Sequence, residues 1–191
     1  MDKTALLVID VQKGLDDPSL GKRNNPNAEG NIALLLVEWR RRKQPIIHVR
    51  HNSVEPNSPL RPELSGNDFK EEARPHPGEK QFTKTVNSAF IGTGLEEYLH
   101  QQGISSLVIV GLTTEHCVST STRMAGNLGF DVTLVSDATA AFEHRGVDGT
   151  VYAADDIHNI NLASLDGEFC VVRSTQEVLQ ERSSFAVGST Q

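Results

Sequence analysis

The 191-residue sequence predicts an α/β fold, a doubly wound and mostly parallel sheet with helices on both faces, and two patterns predict it. Short apolar runs of strand length alternate with stretches whose apolar residues recur at helical spacing, along nearly the whole chain. The first of these runs, Ala5 to Val11, is continuously apolar except for Asp10, as a strand covered on both faces would read. A β-α-β-α order of this kind calls for parallel pairing with crossover helices on either side. Such a Rossmann-like sheet carries its ligand site at the carboxyl ends of its strands, so polar residues at those ends are the ones to inspect.

The elements follow in order. Ala5 to Val11 is apolar except for Asp10 and reads as the first strand. Asn25-Pro26 offers a helix N-cap with proline at the first helical position. Ile32, Leu35, Leu36 and Trp39 then follow at helical spacing, and Arg40 to Lys43 close the helix at the negative end of its dipole. Ile46 to Val49 is a second strand. From His51 to Lys80 the chain is rich in Pro, Asn, Ser and charge, too long for a plain connector, and is expected to form an ordered loop over a site. Gln81 to Val86 is a short strand holding Lys84. Thr93 to Glu96 reads as a capping box before Leu95, Tyr98 and Leu99, with Gly103 at the helix end. Ser106 to Val110 is a buried strand ended by Gly111, and Thr114 caps a helix that runs to Leu128. Asp131 to Val135 is a strand, and Val147, Val151, Ala154, His158, Leu162 and Leu165 mark a long helix. Phe169 to Val172 is the last strand, and Ser174 to Glu177 is a second capping box. One domain over 1–182 is expected, with a loose tail at 183–191.

Composition narrows the function. Lys and Arg number 18 against 25 Asp and Glu, a formal charge of -7, and an acidic surface repels phosphate backbones, which argues against a nucleic-acid partner. The longest apolar runs are too short to cross a bilayer, and the first residues do not read as a signal peptide. Two cysteines, Cys117 and Cys170, make no disulfide framework and fit a reducing cytoplasm.

Three polar residues stand where chemistry is expected. Asp10 ends the first strand, where a carboxylate is costly to desolvate unless paired or used; it also reads as a cap on the following loop. Gln12, two residues on, points to the same side as a candidate substrate contact. Lys84 reads by itself as an edge-strand lysine that blocks aggregation, and only partners would give it more weight. Cys117 lies in Gly111-Leu112-Thr113-Thr114-Glu115-His116-Cys117-Val118, where a buried strand turns into a helix. The free N–H groups and dipole of a helix start favour a thiolate and bind an oxyanion. A small buried hydrophobe is the plainer alternative there, and Cys170 is that case. His116 adjoins Cys117 but faces another side of a helix, so it is a poor base for it. No Walker A, HExxH or GxSxG sequence is present, and Gly92-Thr93-Gly94 lacks the third glycine of a dinucleotide loop.

Taken in order, Asp10, Lys84 before Ser88-Ala89-Phe90, the Gly111 to Val118 segment, Arg123-Met124-Ala125, Gly129-Phe130 and Val135-Ser136-Asp137-Ala138 resemble the isochorismatase-like cysteine hydrolases. The resemblance runs from Leu6 to about Val172. It implies six parallel strands, a catalytic triad of Asp10, Lys84 and Cys117, and a cis peptide between Leu112 and Thr113. That peptide is expected to aim the Thr113 N–H beside the Cys117 N–H as an oxyanion hole. It further implies a homo-oligomer, dimer or tetramer, acting on a small-molecule substrate. The retained cysteine points to C–N hydrolysis of an amide, ureide or lactam, because well-known isochorismatases lack it. His51, Asp68 and His76 do not have the Asp-x-His spacing of zinc-dependent nicotinamidases, so no metal or cofactor is expected. Phe90 and Phe142 are candidate pocket walls. Two rivals stay open: vinyl-ether hydrolysis by Asp10 and Lys84 with Cys117 as bystander, and a non-catalytic interaction module.

Overall fold

A leucine- and valine-rich first strand, unable to leave either face in water, sits at the middle of the sheet. The computed structural model describes residues 3–187. β1 (Lys3–Ile9) is flanked by β2 (Ile46–His51) and β4 (Ile104–Leu112); β3 (Lys80–Lys84) lies outside β2, and β5 (Asp131–Ala140) and β8 (Val171–Arg173) continue beyond β4. The order is β3-β2-β1-β4-β5-β8 and every pairing is parallel, the predicted six-stranded doubly wound sheet. Successive β1 side chains serve two separate cores. Leu7 and Ile9 pack with Leu95, Leu99 and Val118 on one face, and Leu6 and Val8 with Ile32, Leu35, Leu36 and Trp39 on the other. The first core is closed by α2 (Leu95–Gln101), α3 (Ser119–Asn127) and α4 (Ala154–Leu165), the second by α1 (Ala28–Arg41) and α5 (Thr175–Val187).

The chain begins in mid-sheet, builds outward to β3, then crosses back to place β4 on the other side of β1. The strands diverge there at their carboxyl ends, which is where this architecture leaves a crevice. Gly111 lets β4 come close at that point. Its φ is 132°, and a Cβ on it would stand 2.0 Å from the Ile9 carbonyl oxygen, so any other residue would push β4 off β1.

Several local expectations are corrected. α1 starts at Ala28, not behind Pro26, because Asn25 turns at a φ of 42° and gives its side-chain amide to the carbonyls of Ser136 and Thr139. Thr93 does not close a capping box; Gly94 precedes α2, and Thr93 Oγ1 accepts from the Leu95 N–H. Val147 and Val151 belong to no helix. A small antiparallel hairpin of β6 (His144–Arg145) and β7 (Val151–Tyr152) precedes α4 and leaves both valines exposed. α5 runs on to Val187, into the expected tail, and 188–191 lie outside the described residues. The second capping box does form: the Ser174 N–H donates to Glu177 Oε2 at 2.7 Å and the Glu177 N–H to Ser174 Oγ at 3.3 Å.

The 51–80 segment is an ordered loop held by buried polar contacts. Asn67 Nδ2 donates to the carbonyls of His51 and Leu60. Lys70 Nζ is 2.6 Å from both Asp16 and Glu29, and Arg23 grips Glu29 with both guanidinium ends. Those two cations overcome burial and hold the Glu29 carboxyl down to about 2. Among the described residues no helix is long and apolar enough to cross a membrane.

Candidate active site

Four strand ends converge on one crevice. β1 turns at Asp10, whose φ of 52° is in the left-handed region that aspartate tolerates better than most residues. β2 ends at His51 and β3 at Lys84, and these two are direct neighbours in the parallel ladder. β4 ends at Leu112 and passes through Thr113 into a single wide turn, Thr114–Val118, before α3 begins. The Leu112–Thr113 peptide is cis.

Lys84 is the centre of the arrangement. Its Nζ lies 2.6 Å from Asp10 Oδ2, 2.8 Å from His51 Nδ1 and 3.2 Å from Cys117 Sγ. An ammonium has three hydrogens to donate and meets three acceptors here. Because it only donates, His51 Nδ1 must accept, which requires a neutral ring. Burial first, and the Lys84 charge second, hold the His51 imidazole down to about 4, so the ring is neutral at physiological pH. The Asp10 and Lys84 side chains are 2% and 0% exposed, so the pair is fully desolvated.

Asp10 Oδ2 meets the ammonium, yet no backbone N–H among the described residues donates to either carboxylate oxygen. Burial therefore raises its pKa against the opposing pull of Lys84. Acceptor atoms of Asp10, His51 and Cys117 all lie within 4.8 Å of one another. Such a cluster has the composition of a metal site, but the Lys84 ammonium contacts all three groups and takes the position a cation would need.

The sulfur differs from expectation. The wide turn gives Cys117 no regular helix N-terminus, and burial, followed by the negative charge of Asp10, pushes its thiol up to about 12. Burial thus works against the ionised sulfur expected of a helix start. Alkylation of Cys117 by iodoacetamide is therefore expected to keep rising about tenfold per pH unit well beyond pH 9. A plateau near pH 7 in a rate–pH profile followed by mass spectrometry would show a thiolate instead.

The crevice has a volume of about 350 Å³, in the range of a small-molecule site. Leu15, Leu20, Leu60, Leu112 and Phe142 form its apolar wall, and Asp10, His51, Asn87, Thr113, Glu115, His116, Cys117 and His144 its polar one. Thr113 and Phe142 are thus where sequence reasoning put them. Gln12 is not: its amide donates to the carbonyls of His51 and Asn67 and accepts the His51 N–H, so it holds the end of β2 from behind. Phe90 is not in the crevice either and stacks on Phe130 in the core, at a centroid distance of 6.1 Å. His51, Glu115 and His144 were missed as site residues. For His51 no local signal was available, because only the β2–β3 register sets it beside Lys84. A larger, shallower depression of about 580 Å³ lies between α1 and α5, but its carboxylate, Asp137, is committed to the Thr175 N–H and hydroxyl.

Comparison with known proteins finds relatives of this chain. The isochorismatase domain model matches residues 4–177. The isochorismatase family protein YrdC of Bacillus subtilis is 49% identical over 180 residues, covering 94% of this chain and 96% of its own length. A crystal structure of an isochorismatase-family protein from Chromobacterium violaceum superimposes with a TM-score of 0.91 at 48% identity, over 94% of this chain and 93% of that one. A ureidoacrylate amidohydrolase, RutB of Agrobacterium fabrum, is 36% identical over 105 residues, 48% of this chain and 45% of its own.

Proposed function

The chain belongs to the isochorismatase family of hydrolases, and from that membership we propose that it is a metal-independent cysteine hydrolase cleaving the C–N bond of a small amide, ureide or lactam. The observation that carries the proposal is the Lys84 ammonium held between the Asp10 carboxylate and the Cys117 sulfur. The likeness to a ureidoacrylate amidohydrolase supports the C–N class.

Asp10 takes the Cys117 thiol proton as the sulfur attacks the carbonyl carbon. Burial serves this step, since a carboxyl with a raised pKa is a stronger base and lies closer in proton affinity to the thiol. Lys84, 3.2 Å from the sulfur, stabilises the thiolate as it forms. The carbonyl oxygen becomes an oxyanion that accepts from the Thr113 and Cys117 N–H groups. The neighbouring N–H groups of His116 and Val118 are already committed to the Thr113 carbonyl, so they take no part. Protonated Asp10 then gives its proton to the departing nitrogen as the C–N bond breaks, leaving a thioester. Water, deprotonated by the regenerated Asp10 carboxylate, cleaves that thioester, and the proton returns to sulfur. His51 and Gln12 position Lys84 and the end of β2.

One observation favours a second reading. A thiol that is un-ionised at rest suits a bystander, which would leave Asp10 and Lys84 to hydrolyse a vinyl ether as in isochorismatases. A panel of small amides, ureides and lactams, with isochorismate alongside, separates the two. Release of ammonia or amine, with an acyl adduct on Cys117 in acid-quenched samples, is the expected result. Turnover of isochorismate with neither nitrogen release nor adduct would overturn the proposal.

A further inference from the structure

Glu115 is a carboxylate of the crevice for which the mechanism has no use. It lies two residues before Cys117 in the turn after β4, with a side chain only 6% exposed. Oε1 accepts the Phe142 N–H at 3.3 Å and faces His144 Nε2 at 3.1 Å. Oε2 is buried and has no hydrogen-bond partner among the described residues. A buried acceptor left without a donor is costly, so its retention in a residue that lines the crevice calls for a donor that arrives from outside.

The surroundings say which donor. Asp10 has Lys84 as its cation, but among the described residues no lysine or arginine lines the crevice to serve Glu115. His116 and His144 meet edge to face beside it, with centroids 5.4 Å apart, and Phe142, whose ring face is favourable to a positive charge, lines the same crevice. Beyond Phe142, the apolar part of the wall is leucine: Leu15, Leu20, Leu60 and Leu112. We propose that Glu115 determines specificity by receiving a cationic N–H group, an ammonium or guanidinium, carried on an apolar stem away from the scissile carbonyl. This deepens the cysteine-hydrolase reading of the same crevice and rests on it. Glu115, His116 and His144 also have ligand atoms within 4.8 Å of one another, the composition of a divalent-metal site. The organic cation is favoured because Oε1 is already engaged with the Phe142 N–H and four leucines line the same crevice, which suits an apolar stem better than a hydrated ion.

The test uses Cys117 as reporter in a Cys170→Ser background. Modification by aminoethyl methanethiosulfonate and by its neutral methyl analogue is timed by intact mass at mildly alkaline pH. The cation-to-neutral rate ratio is expected to fall about tenfold in Glu115→Gln, which keeps an amide oxygen for the Phe142 N–H. An unchanged ratio overturns the inference. So does equilibrium dialysis showing one zinc per chain that is lost in both Glu115→Gln and His144→Ala, which would assign the cluster to a metal. Absence of both nitrogen release and an acyl adduct on Cys117 with the amide panel would instead remove the hydrolase reading, and this inference with it.

Discussion

Cys117→Ala is expected to lower nitrogen release by about 10⁴-fold or more while the protein stays folded. The substitution removes one sulfur that lies 3.2 Å from Lys84 Nζ, within 4.8 Å of an Asp10 oxygen and 3.8 Å from Asn87 Oδ1. Lys84 keeps its Asp10 and His51 partners, so no charge is left uncompensated. The melting temperature should therefore stay within about 2 °C of wild type. The activity loss should fall on kcat more than on KM, because the sulfur acts in bond making and not in recognition. If the alanine variant turned over C–N substrates at the wild-type rate, the thioester route would be refuted. If it lost its melting transition as well, the loss would be one of folding and the sulfur's role structural. Circular dichroism recorded on the assayed samples separates those outcomes.

The parts of this site legible in the sequence are the ones in which position and chemistry coincide. Asp10 interrupts an otherwise apolar strand, and Cys117 follows a buried one, so each stands out against its local pattern. Lys84 does not stand out by itself, and only the ordered set of motifs gave it weight. His51 stayed hidden because a lone histidine at the start of a Pro-rich loop has no periodicity to betray it. Its meaning comes from the β2–β3 register, which sets it beside Lys84 across a gap of sequence no local rule spans. Gln12 was misplaced for a related reason. Residues two apart share a side only while the strand continues, and the chain leaves the strand at Asp10. The same limit explains Val147 and Val151: their spacing fits a helix, yet both are exposed in a hairpin and neither joins a core. The state of the sulfur was unreadable as well, because the expected dipole belongs to a regular helix start and the observed turn is wide and buried.

Asp10→Asn and Lys84→Met are expected to be nearly inactive, and their stabilities should differ in a way that exposes the state of the pair. In Asp10→Asn the Lys84 ammonium, 0% exposed, loses its counter-ion, which costs on the order of 3–5 kcal/mol. Lys84→Met leaves the opposite charge behind, but that charge has an escape. Burial already raises the Asp10 pKa, and without the ammonium nothing opposes the rise, so the carboxyl takes up a proton and the loss is smaller. A carboxyl protonated in the folded state and ionised in the unfolded one means that folding binds a proton, so stability increases as the pH falls from 7 towards the ordinary carboxylate range. Lys84→Met should therefore gain on mild acidification relative to Asp10→Asn. The double variant carries neither buried charge and should recover most of the Asp10→Asn loss, because replacing both members of a buried pair is far less costly than removing one. Denaturant midpoints for the four proteins at two pH values measure the cycle. Losses that simply add, with no pH dependence in Lys84→Met, would mean that the two groups do not share a proton economy, and the base assigned to the cysteine would have to be sought elsewhere.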